Sequence, residues 1–376
     1  MRQLRRTDFE VGKPLLFSIF DVDGRMLLRR GTVINMPDQL DEMIARGAQF
    51  REENVQAHGR SRLDAKEFQE TPFKRFNQLS LNLTHMFSTI LKSPEKIDVQ
   101  ARIIKISQTI QELNQENSDS ILAAAYLDLH TPPLIQHQMM GGLLTEIIGL
   151  GLGLEREQRR SLVCAALTRD LGQALLQPEL DKYQGQLPES LLKMVHQHPD
   201  KSIELLKQAG VNDPIWFKAL QQHHERLDGS GYPAGLKAEQ LLIGTRILAV
   251  ADTYSAMIKP RSFRAAYSPQ TTLKAIYLKK DMLFDDKVVR ILISKIGLLP
   301  PGSIVKLSCG EIAVVKSFIE KDTNTVVYTI YGKTGTLLME PVARSTAKAG
   351  YAISGLVPHE ECRSASIIMQ QVWDKK

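Results

Sequence analysis

From Phe73 to about Leu298 apolar residues return at three- and four-residue steps with little interruption. FNQLSLNLTHMFSTIL, IIKISQTIQEL and LLTEIIGL carry the pattern most clearly. That period places apolar side chains on one side of a helix. Each such stripe needs a partner to bury it, so the stretch predicts a packed helical bundle. On both flanks the period changes. PLLFSIF and RMLLRRGTVI read as strands across an Asp23-Gly24 turn, and Pro37 and Gly47 bracket a short helix. Asp21 to Gly24 is a hairpin turn on this reading; it has too few ligands for a cation loop. After Pro300-Pro301-Gly302 come four β-like runs, SIVKL, EIAVVKSFI, TVVYTIY and TLLME.

The fold class expected is therefore mainly α, a helical bundle with a small β-containing domain at each end. The boundaries read as residues 1–55 for an α+β unit, 56–72 for a polar linker and 73–298 for the helical domain. Residues 299–345 form a small β domain, a barrel candidate, and 346–376 a weakly patterned tail. At roughly 150 residues per domain, 376 residues accommodate this division.

Composition narrows the function. With 43% hydrophobic and 24% charged residues the chain is neither disordered nor collagen-like. The net charge of +6 is spread along the chain. It suits an anionic ligand but does not argue for a nucleic-acid polymer, and the C-terminal β runs lack the interleaved aromatics that base stacking uses. Cys164, Cys309 and Cys362 are far apart and have no metal-ligand spacing, as expected in a reducing compartment. MRQLRRTDFEVGK is followed by no apolar h-region of a signal peptide, and stretches such as Leu143 to Leu154 are too short to span a bilayer. A cytoplasmic location is expected.

Four of the nine histidines fall between residues 196 and 224, and His223-His224 opens HHERLDGSGYPAGL. Neutral imidazole ligates Zn, Fe, Mn or Ni. The Gly-rich stretch behind the pair must turn sharply. A single histidine here reads equally as a hydrogen-bonded helix end; the whole string favours a site. Asp170 in SLVCAALTRDLGQALL and Asp252 in GTRILAVADTYSAMI interrupt apolar helical runs. A buried carboxylate costs several kcal/mol unless paired or bound to metal. Both remain open as structural ion pairs or as metal ligands.

These residues resemble the HD-GYP family, the metal-dependent phosphodiesterase branch of the HD superfamily. HHERLDGSGYP fits the signature HHExxDGxGYP without a mismatch. His198-Pro199 resembles its His-Pro step, RILAVADTYSAM its late-Asp helix, and KPRSFRAAYSP the segment that follows. His137 stands 33 residues before Asp170, close to the family's spacing. The likeness covers about residues 120 to 290. It implies a helical HD-type bundle, cyclic di-GMP as the ligand and hydrolysis at a centre of two or three metal ions. His137, Asp170, His198, His223, His224 and Asp252 fall on ligand positions, with Asp170, His223 and His224 nearest the chemistry. Arg261, Arg264, Gly231 and Tyr232 fall on the substrate side. The two arginines read otherwise as a solvated basic face.

The chain departs from the family at three places. The pair expected as HDxGK reads Arg169-Asp170-Leu171-Gly172-Gln173, and Pro133 stands four residues before His137, where metal-rich members carry Glu. A guanidinium has only donors and cannot ligate a metal; Arg169 instead pairs with Asp170 or Asp252 on this reading. Gln173 removes a cation that would stabilise charge on phosphate. The resemblance thus implies a divalent metal (Fe, Mn or Zn) at reduced occupancy or absent. It implies a signalling role with hydrolysis impaired or lost, through cyclic di-GMP or a protein partner such as a diguanylate cyclase domain. The alternative is a working phosphodiesterase with a rearranged metal site.

Overall fold

The computed structural model describes residues 70–374 except 95–96, 181, 184, 261–264 and 318–324. It also describes N-terminal residues 2–5, 8, 15, 17–20, 26–28, 44 and 47–50. The chain divides into two compact units, Met1–Gln69 and Glu70–Lys376. In the first, β1 (Arg2–Gln3), β2 (Ile19–Phe20), β3 (Met26–Leu28) and β4 (Gln49–Phe50) form an antiparallel sheet of order β1-β4-β2-β3. Leu4, Leu15, Ile19 and Phe50 are buried, and Phe17 stacks on Phe50 at 4.1 Å. The expected Asp21–Gly24 turn, nearly all of the helix after Pro37 and most of the linker lie outside the described residues.

The second unit begins with two long helices, α1 (Pro72–Lys92) and α2 (Val99–Leu127). Thr71 caps the first, accepting from Lys74 N, and Asp98 caps the second, accepting from Ala101 N at 2.9 Å. Asn117 is extended inside α2 and its side chain accepts from Ser120 N, so the helix restarts there with a cap of its own. Next come α3 (Pro133–Gly151), α4 (Arg156–Thr168) and the single turns α5 (Leu171–Ala174) and α6 (Gln177–Leu180). They are followed by α7 (Glu189–His196), α8 (His198–Gln208) and α9 (Pro214–Gln222). The bundle closes with α10 (Ile243–Met257), α11 (Pro269–Leu278) and α12 (Asp286–Ile296).

Helix α3 is apolar nearly all round and lies at the centre, packed by α2, α4, α10 and α12. Its glycines bring neighbours close: a Cβ at Gly142 would stand 2.9 Å from Leu167 of α4. One continuous core runs from Phe73 to Ile296 and on into the β region through Val314 and Ile330.

The C-terminal sheet has β5 (Ile304–Leu307), β6 (Ile312–Ser317), β7 (Val326–Tyr331), β8 (Leu337–Ser345) and β9 (Ile353–Leu356). Its order is β8-β7-β6-β5-β9, antiparallel throughout. Gly302, at φ 91°, lets this region approach α2, where a Cβ would meet Ala123 Cα at 2.9 Å. The tail that looked weakly patterned holds β9 and a final helix α13 (Ser366–Asp374). Trp373 of that helix stacks on Phe73 at 5.7 Å, a contact between the two ends of the unit that no local period announces. Among the described residues no helix is long and apolar enough to cross a membrane.

Candidate metal centre

His137, Asp170, His198, His223, His224 and Asp252 converge, within two overlapping groups that share Asp170. His137 lies near the start of α3, Asp170 in the turn between α4 and α5, and His198 at the first position of α8. His223 and His224 follow α9, and Asp252 lies within α10. Ser202 holds two of these elements in register. Its hydroxyl donates to Arg169 O at 2.8 Å and accepts from Gly172 N at 2.8 Å. Gly172 has no room for a side chain, since a Cβ would stand 2.6 Å from His198 O. This close approach sets His198 against Asp170.

The signature loop is built by its own acid. Buried Glu225 accepts from Ala234 N at 2.7 Å and Leu236 N at 2.9 Å, folding the loop back. At Gly231 a Cβ would stand 2.4 Å from Glu225 Cα, so Gly231 serves the turn. Tyr232 closes one side of the site. Its ring stacks on His224 at 4.5 Å and is covered by His196 at 4.1 Å. Burial raises its hydroxyl pKa, as do the nearby Asp252 and Asp170 charges.

The first group is Asp170, His198, His223 and His224. His198 Nδ1 donates to Val195 O at 2.6 Å and His223 Nδ1 to Leu220 O at 2.5 Å. Those bonds fix both tautomers and aim both Nε2 atoms inward. The two Nε2 atoms are 3.3 Å apart, and Asp170 Oδ1 lies 3.2 Å from one and 3.8 Å from the other. Lone pairs so placed repel unless a cation or a proton lies among them. Burial works to lower the His198 pKa, but its hydrogen bond to Asp170 leaves it raised. Burial lowers His223. Burial and the neighbouring His223 hold His224 well below the ordinary range. Three imidazoles and a carboxylate form a donor set that fits a divalent transition ion. Gln138 Oε1, fully buried beside this group and without a partner, is a spare acceptor.

The second group, His137, Asp170 and Asp252, surrounds Arg169, which is only 1% exposed. Arg169 Nε donates to Asp252 Oδ1 at 2.9 Å and lies 3.6 Å from Asp170 Oδ2. Nη2 donates to His137 Nε2 at 2.8 Å, and Nη1 donates to Ala166 O at 2.5 Å. Ser255 Oγ donates to Asp252 O and lies 2.9 Å from His137 Nδ1, which leaves Nε2 as the acceptor for the guanidinium. Burial works to raise both carboxyls, but Arg169 and the surrounding histidines hold Asp170 and Asp252 well below the ordinary carboxylate range. Two atoms of this group, Asp252 Oδ1 and His137 Nε2, accept from the guanidinium, while Asp170 Oδ2 accepts from Gln138 Nε2.

Of the two pairings left open for Arg169, Asp252 is the closer. Pro133 is exposed at the first turn of α3, and Gln173 is half-buried in α5. Arg261 and Arg264 lie outside the described residues. Sequence reasoning passed over Gln138, whose Nε2 donates to Asp170 Oδ2 at 2.6 Å, and also Ser202, Ser255 and Gly141. Only Ser255 carried a local signal, since it lies three residues after Asp252 on the same helix face.

The HD domain profile matches residues 121–288. The cyclic di-GMP phosphodiesterase response regulator RpfG of Xanthomonas campestris pv. campestris (strain 8004) is 30% identical over 201 residues, 52% of each chain. The cyclic di-GMP phosphodiesterase PdeB of Borreliella burgdorferi is 26% identical over 190 residues, 50% of each chain. The match therefore spans about half the length of these relatives. Among solved structures, Bd1817, an HDG"Y"P protein from Bdellovibrio bacteriovorus, superposes with a TM-score of 0.54 at 14% identity. That superposition covers 77% of this chain and 97% of the other, a likeness of fold.

Proposed function

We propose that this chain, whose residues 121–288 match the HD domain, belongs to the HD-GYP branch and is a cyclic di-GMP signalling protein with impaired or lost hydrolysis. It works in the cytoplasm by binding the nucleotide or by docking a protein such as a diguanylate cyclase domain. The observation that carries this reading is the Arg169 guanidinium, which takes the acceptor atoms of His137 and Asp252. In a paired-metal hydrolase two ions clamp the attacking and leaving oxygens of the phosphodiester. Arginine offers charge and donors but activates no water. Gln173, in place of the expected lysine, takes away a further positive charge. The named relatives support cyclic di-GMP as the ligand class.

The remaining group of Asp170, His198, His223 and His224 supports a second reading, a slow phosphodiesterase working on one ion. Asp170, His198, His223 and His224 would hold that ion, which would supply Lewis-acid polarisation and a more acidic bound water, while Tyr232 and His196 wall the site. Equilibrium binding and turnover of cyclic di-GMP in the presence of Mn, Fe or Zn separate the two. Binding with turnover at least a hundredfold below an HD-GYP protein carrying HDxGK supports the first. Comparable turnover that disappears in His223→Ala establishes the second. If cyclic di-GMP does not bind but a cyclic GMP-AMP dinucleotide does, the signalling reading stands with a different nucleotide.

A further inference from the structure

We infer that the site is built for one ion only, with Arg169 as a resident cation in place of a second. This shares the site with the functional reading but not its outcome, because ions are counted with no nucleotide present.

Two physical arguments carry it. The first is room. Gly141 lies on α3 against the guanidinium, and a Cβ there would stand 2.5 Å from Nη1, 2.9 Å from Nη2 and 3.0 Å from Cζ. The absence of a side chain at position 141 is what admits the arginine. Together with acceptors at Asp252, His137 and Ala166, this makes a fitted guanidinium pocket. An arginine merely tolerated in a decayed metal site would not need such a fit.

The second is charge. Asp170 and Asp252 are buried carboxylates, and Arg169 is a permanent cation between them. With neutral imidazoles the cluster keeps one negative charge. A divalent ion among Asp170, His198, His223 and His224 turns this into one positive charge. A second ion would raise it to three in a site shielded from water, where unbalanced charge is costly. The histidine group instead needs a positive centre, because two Nε2 lone pairs and Asp170 Oδ1 point at one another. The nitrogen-rich set selects Zn, Fe, Mn or Co over Mg or Ca, which prefer oxygen.

The test is a titration of the chelated full-length protein with Co(II), followed in the visible spectrum, beside elemental analysis of protein loaded with Zn or Mn. About one ion per chain is expected, with a single saturating spectral change. His223→Gln should abolish it. His137→Gln should leave both the stoichiometry and the spectrum unchanged, since that ring serves the guanidinium. Two ions per wild-type chain, or none, would overturn the inference. So would an ion lost in His137→Gln and kept in His223→Gln. The wild-type titration decides by itself if either variant fails to fold.

Discussion

Asp170 divides its two oxygens between two unlike neighbourhoods. Oδ1 faces the inward Nε2 atoms of His198 and His223, 3.2 and 3.8 Å away. Oδ2 accepts from Gln138 Nε2 at 2.6 Å and lies 3.6 Å from the Arg169 guanidinium. One side is a set of imidazole and carboxylate donors; the other contains a cation of its own, covalently attached. The difference teaches that an arginine beside a buried carboxylate does more than withhold a ligand. The replacement arginine brings its own charge, and the helix opposite has a glycine to receive it.

The comparison is broken most severely by removing the built-in cation. Arg169→Met strands two buried carboxylates and should destabilise the chelated protein by about 3–5 kcal/mol in urea unfolding. A loss under about 1 kcal/mol would mean that the carboxylates do not depend on arginine. Next is the ion itself. At a free concentration a hundred times its dissociation constant it should add about 2.7 kcal/mol to wild-type stability. EDTA should remove that increment, and His223→Gln should show no increment to remove. An EDTA effect that persists in His223→Gln would place the ion elsewhere.

Gly141→Ala probes the arginine's room and should cost about 1–3 kcal/mol through overpacking. With Arg169→Ala in the background the same change should cost much less, since the clashing group is gone. Equal costs in both backgrounds would show that Gly141 answers to something other than the guanidinium. The smallest effect is expected from Ser202→Ala. It removes one buried bridge between Arg169 O and Gly172 N, worth about 1 kcal/mol. Because that bridge sets His198 against Asp170, Co(II) affinity should fall as well. Unchanged affinity would confine Ser202 to stability.

Much of this was legible in the sequence because it was local. The helical period marked the bundle, and HHERLDGSGYP the loop and its tandem histidines. Asp170 and Asp252 could be named because they broke an apolar pattern and His223 and His224 because they fell in a long motif, whereas His137 and His198 were named only by the family resemblance. What stayed hidden depended on contacts across the chain. Gln138 meets Asp170 and Ser202 meets Arg169 at separations of about thirty residues, with no spacing rule to reveal them. The tail looked featureless because β9 takes its order from pairing with β5, and α13 from packing Trp373 on Phe73.

The sequence by itself determined the chemical types available: imidazoles and carboxylates that can hold a cation, and a guanidinium that is always charged and never a ligand. It determined that the HD histidine and its lysine companion are absent. Only the tertiary structure decided which partners the guanidinium takes and how far its presence reaches. Its bonds to Asp252, His137 and Ala166 join α3, α4 and α10. The space it fills is set by Gly141, 28 residues away in sequence. Charge and donor number belong to a residue. The surroundings that turn them into an occupied site come from helices packed at fixed distances.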